Sequence, residues 1–408
     1  MIKRFEMQND GTAKLLSFNP LNGQLTCVLQ GKLESSEQCL DYFLSRNLVG
    51  EEDVYIQNPI LDSCYSAPFK IYIDITDSCQ LNCKHCLTKK LNNGHELSLE
   101  KLKDIADECA ELGVFYVKLG GGEPLLHKHF EAVVEYFRKS GVFVSVSTNG
   151  YLINEHSAKF LAKHNVKTTV SVEGTKTIDE MIRGKGHFEI ALKALKCLKE
   201  NGVDVALRVT LTRYILNVDC ILELIQIAKD NEVPLKVSYC RPAGSSIDND
   251  CIIKDSDYDE YRSVISFLNE EKKYYPILLD EGMMYSQPKE LEWILYKGRI
   301  CGAANRSMHI NSCGNISPCV FMGDEYIEKD SCYQRGDIAL FWREQKGTRF
   351  RIIRQVETPS KCVDCCRKCK CECLATRLYF SGSFQGEDPN CLMRKGDSNH
   401  DKFFVTCS

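Results

Sequence analysis

The sequence predicts an α/β protein, a partial (β/α)6 barrel between a small N-terminal α+β unit and a cysteine-rich C-terminal unit. Three observations carry this prediction. Strand-like and helix-like segments alternate between residues 70 and 245 at intervals of roughly 30–40 residues, the pattern of a parallel sheet with crossover helices. The strand–helix pairs are six, fewer than a closed TIM barrel needs, so the sheet should be open or partial. Eleven of the 23 cysteines fall between Cys301 and Cys391, after the alternation has ended.

The elements follow in order. Lys14–Phe18 and Gln24–Leu29 read as strands joined by the Asn22-Gly23 turn, a hairpin signal. Ser35–Asn47 reads as a helix, capped by Ser35 or Ser36, with Cys39, Tyr42, Phe43 and Leu44 on its apolar face. Residues 1–69 are too few to bury much alone and should dock on the rest. Barrel strands are expected at Ile71–Ile75, Phe115–Leu119, Val142–Val146, Thr168–Val172, Val205–Val209 and Leu235–Tyr239. Helices are expected at Leu99–Leu112, Phe130–Ser140, Ser157–Lys163, Phe188–Asn201 and Val218–Asn231. Residues 246–300 read as a mostly helical bridge, with a helix at Tyr258–Lys272, and 301–408 as the cysteine-rich unit.

Composition narrows the function. Hydrophobic residues make up 43% and charged residues 26% of 408, as in an ordinary globular protein. A net charge of −4 leaves no footprint for nucleic acid or an anionic membrane. No apolar run is long enough to span a bilayer, and the N-terminus lacks the apolar stretch of a signal peptide. The expectation is a cytoplasmic protein. An odd number of cysteines without an export signal argues for metal or catalytic use rather than disulfides.

The first constellation is Cys79-x3-Cys83-x2-Cys86, directly after the first barrel strand. Three thiolates on one loop can hold three irons of a 4Fe–4S cluster and leave the fourth open, as a catalytic site needs. They could also be three of the four ligands of a structural zinc. Polar turns follow the next strands: Gly120-Gly121-Gly122-Glu123-Pro124, then Ser147-Thr148-Asn149-Gly150, then Ser171-Val172-Glu173-Gly174. Glycines let a backbone approach a ligand closely, and Glu123 can accept a hydrogen bond from a ligand amine.

In this combination residues 70–245 resemble the radical S-adenosylmethionine (SAM) enzymes. The cysteine loop, with His85 before its last cysteine, is similar to that family's defining motif. Gly121-Gly122-Glu123-Pro124 is similar to the family segment that binds the SAM amino group. The resemblance implies that SAM chelates the open iron and is cleaved to methionine and a 5′-deoxyadenosyl radical, which abstracts a substrate hydrogen. It further implies SAM contacts at Ser171, Glu173 and Arg183, and adenosine-side contacts at Thr148 and Asn149.

The second constellation is Cys301-x12-Gly314-x4-Cys319, then Cys362-x2-Cys365-x3-Cys369-x3-Cys373, then Cys391. Read alone, these could be zinc sites. Beside a radical SAM core they resemble the SPASM extension of peptide-maturing enzymes, which carries two further Fe–S clusters, for three 4Fe–4S clusters in all. The resemblance implies Cys301, Cys319 and Cys373 at the first auxiliary cluster, with Cys313 a fourth ligand or that position open. It implies Cys362, Cys365, Cys369 and Cys391 at the second. The usual spacing before the third of these ligands fits Cys371, whereas the usual x3 to the next fits Cys369 to Cys373; Cys366 adds to the ambiguity, and Cys313 and Cys332 have no settled role. Sulfatase-oxidising members tend to carry an acid after the Cys319 position, where this chain has Val320.

Residues 1–69 weakly resemble the winged-helix leader-recognition domain of enzymes that modify ribosomally made peptides, which holds its leader by strand addition; a packing appendage is the other reading. The resemblance as a whole implies a maturase of the sactisynthase or cross-linking kind. It would form a thioether or C–C bond in a precursor peptide, with electrons from a flavodoxin or ferredoxin. Dehydrogenation or epimerisation of a protein or small molecule is an alternative within the class. A non-catalytic, zinc-rich peptide-binding scaffold is the alternative outside it.

Overall fold

The computed structural model describes residues 1–7, 12–32, 53–58, 61, 64–88, 93–280, 283, 301–359, 373–386 and 388–392. The helix expected at 35–47 lies outside these residues, as do Cys362, Cys365, Cys366, Cys369 and Cys371.

Two sheets organise the described residues. The smaller has four strands: β1 (Ile2–Met7), β2 (Thr12–Asn19), β3 (Gln24–Lys32) and β4 (Val54–Gln57), in the order β3-β2-β1-β4. The expected hairpin is β2–β3, antiparallel from Thr12↔Lys32 to Asn19↔Gln24. β1 and β4 were not expected. The reason is visible in β1, where Lys3, Arg4 and Glu6 are all buried, so its charge masked its strand character.

The larger sheet has nine strands in the order β11-β10-β9-β8-β7-β6-β5-β12-β13. Six of them are the expected barrel strands: β5 (Lys70–Thr76), β6 (Tyr116–Gly121), β7 (Phe143–Thr148), β8 (Lys167–Ser171), β9 (Val205–Leu211) and β10 (Leu235–Tyr239). They run parallel in sequence order. Each edge is extended. β11 (Ile277–Leu279) adds in parallel to β10, and β12 (Ser307–Ile310) adds in parallel to β5, followed by antiparallel β13 (Ile316–Ser317). The cysteine-rich region therefore contributes strands to the barrel sheet.

The connecting helices are α1 (Leu99–Leu112), α2 (Phe130–Lys139), α3 (Glu155–Lys163), α4 (Lys176–Arg183), α5 (His187–Glu200) and α6 (Val218–Asp230). Local chemistry sets their ends. The Ser98 hydroxyl accepts from Lys101 N, Asn154 and Ser157 form a reciprocal cap on α3, and Gly113 closes α1 in the left-handed region. The short α4 was not expected.

Inward and outward faces of the barrel strands differ sharply. Ile71, Ile73, Val117, Leu119, Val144, Val146, Leu207, Val209 and Val237 are buried in the main core under the helices. The alternate residues, such as Tyr72, Lys118, Ser147, Arg208, Lys236 and Ser238, line an internal cavity. A closed barrel fills this space with branched apolar side chains; here it is a polar lumen.

The N-terminal sheet closes the end of the barrel where the strands begin. Leu16, Phe18, Tyr65, Phe69, Phe115 and Phe143 form a second apolar cluster across that junction. Arg4 is fully buried within it, between the rings of Phe69 and Phe115 (4.7 and 4.5 Å), paired with Glu6 and donating to Gly113 O at 2.7 Å. The described residues of this N-terminal unit are thus docked on the barrel.

Candidate active site

Opposite that closure, at the C-terminal strand ends, the loop carrying Cys79, Cys83 and Cys86 borders a cavity of ≈ 320 Å³. The loop is held from several sides. Gly122 N donates to Thr76 O and Glu123 N to Ser78 O, both at 2.8 Å. Lys84 N reaches Ile182 O on α4, and Ser245 N reaches Cys86 O (2.8 Å) from beyond β10. The fit is too close for a side chain. A Cβ on Gly121 would lie 2.1 Å from Thr76 O, and one on Gly122 2.1 Å from Ser78 O.

Glu123 is buried, and its carboxylate is bound to the end of β7. Thr148 Oγ1 donates to Oε1 at 2.9 Å and Asn149 N to Oε2 at 2.8 Å. Burial outweighs these bonds and pushes the carboxyl up to about 7. Such a group favours a cationic neighbour. Asn149 also turns its side-chain amide towards Cys79 Sγ (3.8 Å).

Glu173 is buried with Arg183 and His85. Arg183 Nη2 lies 2.5 Å and Nε 3.1 Å from its Oε1, His85 Nε2 lies 3.0 Å from the same oxygen, and Thr210 N donates to Oε2 at 2.7 Å. Burial alone would raise this carboxyl, but the charges of Arg183 and His85 hold it well below the carboxylate range. Asp179 continues the network, accepting from Glu173 N (2.8 Å) and facing His187 Nδ1 (2.6 Å), whose other nitrogen meets Asn149 O.

The expected residues divide accordingly. His85, Gly121, Gly122, Glu123, Thr148, Asn149, Ser171 and Arg183 line the cavity with the three cysteines. Pro124 and Glu173 do not: Pro124 opens a 3-10 turn, and both oxygens of Glu173 are engaged behind the loop. The donor set suits the cofactors. Three sulfurs face one space, and the buried His85 Nδ1 lacks a partner among the described residues. A cubane cluster takes one thiolate per iron, so three cysteines leave one of its four irons open.

A second cavity of ≈ 480 Å³ lies towards the beginnings of the strands and is walled by Cys301, Cys319 and Cys373. Burial beside the other two pushes the Cys319 thiol up to about 12. Cys313 does not join them. It sits in the turn joining β12 to β13, where its carbonyl accepts from Cys332 Sγ, while Cys319 lies beyond the far end of β13. Cys391 lines neither cavity; its carbonyl accepts from the Tyr258 hydroxyl at 3.2 Å. Lys70, Tyr72, Lys236, Arg241, Asp280 and Phe321 belong to the walls of both cavities, so the two spaces adjoin through the lumen.

Sequence reasoning missed these lumen residues. The available signal was a polar residue at every second position, as in Lys70-Ile71-Tyr72-Ile73-Asp74 and Leu207-Arg208-Val209-Thr210. Parallel strands covered on both faces read instead as continuous apolar runs.

Comparison with known proteins agrees with the geometry. Residues 73–236 match the radical SAM superfamily. The chain is 28% identical over 335 residues to mycofactocin maturase MftC of Mycolicibacterium smegmatis, covering 80% of this chain and 83% of that one. It is 25% identical over 353 residues to an AdoMet-dependent heme synthase of Methanosarcina barkeri, covering 81% and 98%. The fold is similar to that of Streptococcus suis SuiB bound to its precursor peptide SuiA, with a TM-score of 0.69, 18% identity, and 95% and 98% of the two chains covered. Residues 73–236 of this enzyme are thus a radical SAM domain, and a 4Fe–4S cluster and SAM are the cofactors that this domain implies.

Proposed function

We propose that this enzyme modifies a ribosomally made precursor peptide, joining two of its residues through a thioether or C–C bond. The observation that carries the reading is the polar lumen between two groups of three cysteines. The likeness to a maturase over most of both chains supports it.

Cys79, Cys83 and Cys86 would hold the catalytic cluster, and Glu123 would accept a hydrogen bond from the SAM amino group. When bound and reduced, SAM supplies a 5′-deoxyadenosyl radical. Ser171, Thr148 and Asn149 orient the nucleoside, while Arg183, Glu173 and His85 fix the cysteine loop from behind. The cross-link removes one hydrogen atom from a substrate C–H, then an electron from the substrate and a proton from its second partner. Cys301, Cys319 and Cys373 would hold an auxiliary cluster, which would supply the electron acceptor that this chemistry needs. Cys362, Cys365, Cys369 or Cys371, and Cys391 hold a second one. The reductant is a flavodoxin or ferredoxin, and the compartment is the cytoplasm. The edge of the N-terminal sheet takes the leader by strand addition.

A second reading, radical chemistry on a small molecule, is favoured by the likeness to a heme synthase. The test is anaerobic reconstitution with the peptide from a reading frame beside the gene. The expected product has lost a pair of hydrogens, and replacing all three loop cysteines by Ala abolishes deoxyadenosine formation. Unmodified peptide beside rapid SAM cleavage with a small-molecule substrate selects the second reading. Zinc in place of iron at the loop, with no SAM cleavage, ends both.

A further inference from the structure

The lumen carries more positive charge than its neighbours neutralise. Lys70 and Tyr72 come from β5, Lys118 from β6, Arg208 from β9 and Lys236 from β10, and all five side chains line the first cavity. Register sets Lys118 beside Tyr72 and Arg208 beside Lys236. The acids nearby are already committed. Asp74 Oδ2 lies 2.8 Å from His309 Nε2, and Asp280 pairs with Arg241 at 3.1 Å. Lys70 stacks over the Tyr72 ring at 4.3 Å, which leaves its charge in place. Arg208 Nη2 has only a long bond to Ser238 Oγ (3.4 Å), and its buried Nε has no partner among the described residues.

Crowding is felt in the amines. Burial first, then the charges of Arg208, Lys236 and Lys70, depress the Lys118 amine well below its ordinary range. Burial and Lys70 bring that of Lys236 down to about 8. Cations gathered without counter-charge cost free energy unless an anion joins them. The auxiliary cluster site does not supply it for all of them, since Lys118 and Arg208 line the first cavity and not the second.

We infer that the lumen, between the two cysteine groups, binds a carboxylate of the substrate, with Lys118, Arg208 and Lys236 as its ligands. This rests on the peptide-modifying reading and specifies it: the segment entering the barrel carries an Asp or Glu side chain, or the peptide's own C-terminal carboxylate. Arg208 offers a planar pair of donors and the two lysines offer point charges, the combination suited to one carboxylate. The contact orients the segment between the clusters; these three residues are positioning residues.

The test uses anaerobic holoenzyme and measures the rate at which an amine-selective acylating reagent labels Lys118 and Lys236, resolved by peptide mass spectrometry. The probes are N-acetylglutamate N-methylamide, with a side-chain carboxylate, and N-acetylglycine, with a terminal one, each beside its neutral amide. Saturating carboxylate should slow labelling of both lysines about tenfold, the worth of one charge-assisted contact. Arg208→Gln should remove most of that protection. Protection by the first probe assigns a side-chain carboxylate, and by the second a chain terminus. Equal protection by the amides, or none by either acid, overturns the inference. Deoxyadenosine formation is measured on the same preparation, so failure of the radical SAM chemistry is seen separately. Lys236→Met, followed at Lys118, keeps the test open if the Arg208 variant does not fold.

Discussion

Arg183 links the ion-pair network to the cysteine loop. Its Nη2 stands 2.5 Å from Glu173 Oε1, and its Nη1 lies 3.9 Å from Cys83 Sγ. One guanidinium therefore satisfies a buried carboxylate and faces a sulfur of the three-cysteine loop.

Arg183→Met should destabilise the protein by about 3–5 kcal/mol, because a buried carboxylate loses its main partner. Denaturant unfolding of the metal-free protein measures this, and Arg183→Lys should recover part of it. The sign with pH follows from the depressed Glu173 carboxyl. Its contribution is present above the ordinary value of 4.5 and is lost as pH falls towards the native value. The wild-type protein should thus keep its margin over the variant until well into the acid range. Equal midpoints for the two at neutral pH would show that the pair contributes nothing.

Glu123 has the opposite sign. Its folded value is raised to about 7, so its contribution is complete below 4.5 and is lost as pH rises through 7. Stability of the SAM-free protein should decline over that window, and Glu123→Gln should flatten the decline. The SAM amino group, a hydrogen-bond donor, should favour the ionised carboxylate and expel the proton. Titration calorimetry at pH 6.5, in buffers of different ionisation enthalpy, would then report proton release of roughly half to one per site. No dependence on the buffer would separate Glu123 from the SAM amine.

Gly121→Ala and Gly122→Ala should each push the cysteine loop off its seat. Each Cβ meets a backbone oxygen at 2.1 Å, and Gly121 holds φ +108. Overpacking of this kind costs about 1–3 kcal/mol. Iron and sulfide should fall by about one cubane's worth per chain, with the auxiliary sites still loaded. Full cluster content in both variants would show that the loop does not depend on this contact.

Arg4 tests the junction between the two sheets. Arg4→Met keeps the bulk between Phe69 and Phe115 but leaves Glu6 buried without its cation, at a cost of about 3–5 kcal/mol. Thermal unfolding checks it. The same geometry warns against deleting residues 1–58 to study leader binding, because removal uncovers Phe115 and Phe143. Single substitutions along β3 are the better probe.

Sequence periodicity revealed what is regular in this chain. The six barrel strands and helices such as Leu99–Leu112 stand where the apolar pattern set them, because each packs one apolar face on the main core. β1 was hidden by its buried Lys3, Arg4 and Glu6; Arg4 and Glu6 pair with each other and also bond residues distant in sequence, Gly113 and Ser66. β12 was hidden by being short and by pairing with a strand more than two hundred residues earlier. At the site, local motifs brought out the cysteine loop and Glu123. The role of Glu173 behind the loop, and the separation of Cys313 from Cys319, depend on tertiary contacts that spacing does not encode.

The hollow barrel has an evolutionary consequence. Its stability resides in the apolar layer between strands and helices, and the inward residues take little part in it. Inward positions can therefore mutate with small cost to folding, as surface positions do elsewhere. A lineage built this way can change what it admits by exchanging a few side chains on alternate strand positions, while the radical-generating machinery above them stays as it was. Divergence of substrate under a constant reaction is what this architecture makes inexpensive.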